Sequence, residues 1–301
     1  MIDWAVGTVV FKACLYLCTA AGIGAFLVHW LMRVTESTPT LRWLPGAGGA
    51  ITISTFGLFV SVCYFFIRVG EYAESGLSGM LDPVFGQILW DSPVGRALQV
   101  RLAAFSLLPI GLVALSMLVP RRHPLLWSIA LLLGLSGSVI AAASFSLTGH
   151  SANHGLLANV AITLHALTAL AWAGSLYPLM CATGRLTPPV LQRVLRRYSM
   201  LAGWFVALLF TAGIGLLVMF YQSSAGEVSC AYIGVLAVKL LLVAGLLLVA
   251  AHHKWRAVHR ITHPGGIVSF RRSLGLEIVL ASLILCVTAV LSTLLGPVHA
   301  S

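Results

Sequence analysis

Charge is what this sequence has least of. Only 9% of its 301 residues are charged, and just 8 of those are acidic. A soluble domain carries roughly a quarter charged residues. A chain this poor in charge cannot cover a water-facing surface, so a bilayer must solvate it. Catalytic signatures are lacking as well. No phosphate-cradling P-loop, no HExxH, no nucleophile elbow and no paired carboxylates suited to acid/base work occur. An enzyme is therefore not expected, and neither is an ATP-driven pump. The six cysteines, Cys14, Cys18, Cys63, Cys181, Cys230 and Cys286, form no CxxC pair, and most sit inside apolar runs. They read as small buried hydrophobes, and a disulfide framework is not expected. The N-terminus lacks a basic leader region, and its first apolar run is too long for a cleavable signal.

What is abundant is apolar length. Hydrophobic residues make up 59% of the chain, and the mean hydropathy is +0.99. A span needs about 20 apolar residues. Lipid forces backbone groups to pair within the segment, so long apolar runs mean helices. Eight runs satisfy this. They start near Thr8, Ala47, Ala97, Leu125, Gly155, Ser199, Ala231 and Leu274, and end near Met32, Val69, Val119, Leu147, Leu179, Tyr221, Ala251 and Leu295. No short alternating strands suggest a barrel. The expected fold is an all-α, polytopic bundle of about eight transmembrane helices, forming a single membrane domain over residues 1–301. The longest connection, Gly70 to Gly95, holds Glu71, Glu74, Asp82 and Asp91.

The formal charge of +10 follows from where the bases lie. Arg33 and Arg42 flank the first connection, and Arg121 and Arg122 the third. Arg185, Arg193, Arg196 and Arg197 belong to the fifth, with Lys254, Arg256, Arg260, Arg271 and Arg272 in the seventh. The even connections are acidic or uncharged. The positive-inside rule then puts the odd connections in the cytoplasm and both termini, including His299, outside. No basic, aromatic-interleaved segment suits nucleic acid.

Three imidazoles stand out. His150 and His154 lie in an outward connection, GHSANHG, and His165 follows in the fifth run. His150 and His154 are four apart, one turn if the helix begins early. His154 and His165 are eleven apart, close to three turns, so they share a face about 16 Å apart in depth. Trp172 lies near the same stripe. Neutral imidazole suits Cu, Zn, Fe and Ni. Equally, His165 can simply bond a neighbouring helix while the other two are loop residues. A softer set lies on the first run, where Cys14, Cys18 and His29 share one face. Thiolates favour Cu(I), although such cysteines are ordinarily packing residues. Met80 and Met219 read as packing, and His252 and His253 as interfacial. Lys12, Arg101, Lys239 and Glu277 are intramembrane charges, all but Glu277 toward the outer half. They are expected to pair with acidic groups or backbone carbonyls, or to guide ions or protons.

Several segments together resemble a known family, the bacterial copper resistance protein D group (CopD, PcoD and the YcnJ-like membrane domain). They are SPVGRALQVR from Ser92, Gly149 with His150, and LHALTALAWAGSLYPL from Leu164. YSMLAGWFVALLFTAGI from Tyr198, AVKLLLVAGLL from Ala237 and RRSLGLEIVL from Arg271 continue the match. The resemblance covers most of the chain and is strongest over residues 149–296. It carries the family pattern onto Gly149, His150, His165, Trp172, Gly174, Leu176, Lys239 and Glu277. Two positions depart from it: Ser151 replaces the usual Ala, and Ser175 replaces a Gly. The resemblance implies a multi-pass protein of the bacterial inner membrane that handles copper ions, moving them from periplasm to cytoplasm. Its implied partner is a periplasmic copper-binding protein of the CopC type. Taken with the spacing above, His150, His154 and His165 would be the metal ligands, with Cys14, Cys18 and His29 as a weaker set. The alternatives are a b-type haem or quinone-linked redox protein, using His29, His165, His252 and His253, and a non-conducting scaffold for periplasmic copper proteins.

Overall fold

The computed structural model describes residues 3–35, 47–118, 123–148, 155–223, 229–252 and 265–295, and these contain helices and no strand. The helices are α1 (Trp4–Thr35), α2 (Ala47–Ala73), α3 (Pro83–Trp90), α4 (Pro93–Met117), α5 (Pro124–Ala143), α6 (Gly155–Ala182), α7 (Pro188–Ser223), α8 (Cys230–His252) and α9 (Gly266–Thr293). All but α3 are long and apolar enough to cross a membrane. Each overlaps one of the eight runs expected from sequence.

The chief differences lie at the ends. The acidic connection between α2 and α4 is largely ordered. It holds a 3-10 turn, Gly76–Leu81, followed by α3. The Asp82 carboxylate caps α3, accepting from the Val84 and Phe85 amides at 2.9 and 3.0 Å. Ser92 Oγ caps α4 through the Val94 amide at 3.1 Å. Pro83 and Pro93 take the first helical positions, where a missing N–H costs nothing. At the other end, α7 begins eleven residues before Ser199. Arg193, Arg196 and Arg197 are therefore helical and exposed, while Leu191, Val194, Leu195 and Tyr198 are buried on the opposite stripe. That is an amphipathic turn pattern rather than a loop.

Helix α1 is the centre of the bundle. It packs on α2, α4, α5, α6, α7 and α9. Its tightest crossing is with α6, through small residues. A Cβ on Gly24 would fall inside the Gly174 backbone, and one on Gly174 would fall inside the Ala20 carbonyl. Small residues at such crossings let two helices approach to backbone contact. Cross-helix polar contacts fix which helix ends share a side. Thr8 to Glu71, Lys12 to Ser292 and Arg101 to Ser144 gather the starts of α1 and α4 with the ends of α2, α5 and α9. Arg33 to the Ser116 carbonyl, and Arg197 to Thr35, gather the ends of α1 and α4 with the start of α7. We call these the N-terminal end and the opposite end of the bundle.

Helices α7 and α8 lie at the periphery. α7 packs on α6 and α8 on α9, and both present large apolar side chains outward, such as Trp204 and Leu241. Such faces are solvated by lipid. The chain is a multi-pass membrane protein.

Candidate functional site

His165 is ten residues into α6, about 15 Å from its start. The half-buried ring turns toward α7. Its Nδ1 lies 3.2 Å from the Leu209 carbonyl, so Nδ1 carries the proton and donates. Gly213, one turn further along α7, makes room for the ring: a Cβ there would lie 3.1 Å from His165 Cε1. With Nδ1 committed to the backbone, the lone pair of the neutral ring sits on Nε2. This tautomer is the one second-shell hydrogen bonds select in metal-binding histidines. Lys239 of α8 is within electrostatic reach of the ring. The bland expectation of a bond to a neighbouring helix and the ligand expectation are thus compatible, since the bond uses only one nitrogen.

Below His165, away from the N-terminal end, the helices α6, α7, α8 and α9 enclose a cleft of about 260 Å³. Trp172, seven residues or about 10 Å beyond His165, forms part of its wall. Tyr198, Phe270 and Leu247 line it too, and among the described residues the Glu277 carboxylate is its one acidic group. Glu277 is 3% exposed. Tyr198 Oη donates to the Trp172 carbonyl at 3.5 Å and lies within electrostatic reach of Glu277. The cleft exists because α7 leans on α6 while the α8–α9 hairpin leans on α1 and α6 through α9. His165 and Glu277 therefore occupy one seam, between α7 and that hairpin, at successive depths.

His150 and His154 lie outside the described residues, as do His253 and His299. The weaker set is not brought together. Cys14 is half-buried, Cys18 is buried beside Leu15 and Phe145, and His29 is fully buried with Nδ1 on the Ala25 carbonyl of its own helix. Cys18 and His29 stand about 16 Å apart along α1, too far to share one ion. His29 and His165 are separated in depth as well, because His29 lies near the opposite end and His165 in the N-terminal half. Among the described residues no three His, Cys, Asp or Glu side chains converge on one point.

Two polar features were not foreseen. Arg33, expected at the edge of a connection, is 4% exposed and reaches the Ser116 carbonyl between helices. The cleft itself is a tertiary feature, although Trp172, Leu176 and Glu277 of its lining stand out in the sequence. Of the intramembrane cations, Lys12 takes a backbone carbonyl, as expected of one option.

No curated protein and no solved structure matches the chain. Two family models do. The one described as copper resistance protein D-like, N-terminal domain, matches residues 1–160, and the one described as copper resistance protein D matches residues 192–291. With the first alone covering just over half of its length, this membrane-spanning chain belongs to the copper resistance protein D family.

Proposed function

We propose that this protein moves copper ions across the bacterial inner membrane, from periplasm to cytoplasm, with the N-terminal end of the bundle facing the periplasm. Both termini are then periplasmic, and the arginine-rich start of α7 meets the cytoplasm, in keeping with the positive-inside rule. The whole chain works as one membrane domain, in which α1 joins helices from both family matches.

The observation that carries this reading is the seam. An imidazole with Nδ1 pinned and Nε2 available stands above a cleft whose one acidic group among the described residues is Glu277. His150 and His154 capture the ion at the periplasmic mouth, and His165 receives it. Glu277 supplies negative charge below, where a cation would otherwise meet apolar surface. A few ligands at each step suit conduction, since the ion must be released as readily as it is bound. Lys239 beside His165 disfavours a long stay of positive charge there. Cys14, Cys18 and His29 take at most separate, secondary parts. The donor is a periplasmic copper-binding protein of the CopC type. The chain performs transport and no catalysis.

The test is cellular copper content in cells expressing wild type, His150→Ala, His154→Ala or His165→Ala at equal protein level. Each substitution is expected to lower copper accumulation several-fold. Unchanged accumulation in all three removes the assigned path. The scaffold alternative predicts that purified protein in liposomes takes up no copper by itself.

A further inference from the structure

The N-terminal end of the bundle holds buried cations that the copper seam does not use. Lys12 of α1 is 6% exposed and Arg101 of α4 is 3% exposed. Their hydrogen-bond acceptors are neutral. Lys12 Nζ donates to the Ser292 carbonyl of α9 at 2.9 Å, and Arg101 Nε donates to Ser144 Oγ at 3.3 Å. The guanidinium lies over the rings of Tyr64 and Phe145, 5.4 and 5.5 Å from their centroids. Arg101 Nη2 is fully buried and donates to nothing among the described residues.

Negative charge is short here among the described residues. Lys12 is within electrostatic reach of both Arg101 and Arg68. The nearby carboxylate, Glu71, is already taken by Arg68 at 2.6 Å and by Thr8 Oγ1 at 3.1 Å. Neither Lys12 nor Arg101 has a carboxylate ion-pair partner among the described residues. Two like charges in a low-dielectric interior repel each other and each loses its hydration. The ring faces offset part of this for Arg101 and none of it for Lys12. An unused charged N–H in such a place calls for an anionic acceptor.

We propose that a small inorganic anion of the halide class, chloride in the first instance, binds between Lys12 and Arg101. Arg101 Nη2 and the Lys12 ammonium hold it, with the phenols of Tyr16 and Tyr64 within electrostatic reach of the guanidinium. Enclosure argues for a free ion over a lipid phosphate. Tyr16, Tyr64 and Phe145 around the cations are each at most 8% exposed, so the site lies inside the bundle and away from the lipid face. The anion would tie α1, α4 and α9 together at one end without entering the copper path.

The test uses the full-length protein in a neutral detergent and a chloride-free gluconate buffer. Sodium chloride replaces sodium gluconate at constant ionic strength while thermal unfolding is followed. The midpoint is expected to rise saturably, by roughly 2–4 °C or more. Arg101→Gln and Lys12→Met should each flatten that response, and His165→Ala should keep it. A flat wild-type titration overturns the proposal, as does an equal rise in both cation variants. Stabilisation by phosphatidylglycerol with none by chloride also overturns it, in favour of a lipid phosphate. Should neither cation variant purify, bromide-soaked wild-type crystals decide: an anomalous peak beside Arg101 is expected, and its absence refutes the site.

Discussion

At the scale of single residues, His165 shows how a histidine can make a structural bond with one ring nitrogen and keep the other for a ligand. Its Nδ1 bond to the Leu209 carbonyl orients the ring, and Gly213 gives the ring its space. His165→Ala should therefore cost only about 1 kcal/mol of stability while reducing copper uptake at least ten-fold, as read by unfolding midpoints and tracer copper on the same preparation. Gly213→Ala is the finer probe. The added methyl meets the imidazole at 3.1 Å, so a two- to ten-fold loss of uptake is expected with little change in folding. Spacing alone made His165 legible as a candidate. It did not reveal the partner carbonyl, because residues 44 positions apart meet only once the helices pack. The same holds for Arg33, whose acceptor Ser116 belongs to another helix, and for the cations Lys12 and Arg101.

At the scale of elements, apolar run length located all eight helices among the described residues that are long and apolar enough to cross a membrane, since the need to satisfy backbone groups in lipid leaves few alternatives. It failed where a helix leaves the apolar layer. The start of α7 is amphipathic, with Leu191, Val194, Leu195 and Tyr198 inward and arginines outward, and a search for uninterrupted apolar length passes over such a turn. Helix α3 was hidden for a similar reason: at Pro83–Trp90 it is too short to register as a span, although the Asp82 cap and the following proline signal it. The α1–α6 crossing yields a sharp contrast. Gly24→Leu or Gly174→Leu forces a side chain into opposing backbone and should cost 3 kcal/mol or more, seen as lost yield of folded protein. Gly215→Ala, with nothing within 4 Å, should be neutral or slightly stabilising.

At the scale of the whole molecule, the bundle divides into a core around α1 and a peripheral layer of α7 and α8. That division leaves the cleft with Glu277 on the side where α7 and the α8–α9 hairpin diverge. The family and the membrane architecture were readable from motif order and hydropathy. The cleft was not, because it depends on which helices neighbour one another. Orientation is checked independently by alkaline phosphatase fused after Ser301, expected to be active in the periplasm and inactive in the opposite arrangement. Glu277→Gln should lower the rate of copper movement several-fold with the fold retained, as measured by uptake and unfolding together.

The central claim is that copper passes through this protein along the His165 seam, and the most direct measurement is uptake of radioactive copper into liposomes containing only the purified chain. The account predicts protein-dependent uptake by wild type that falls to near background in His165→Ala, with both preparations equally folded. Uptake no greater than that of empty liposomes, or uptake that His165→Ala leaves unchanged, would contradict it.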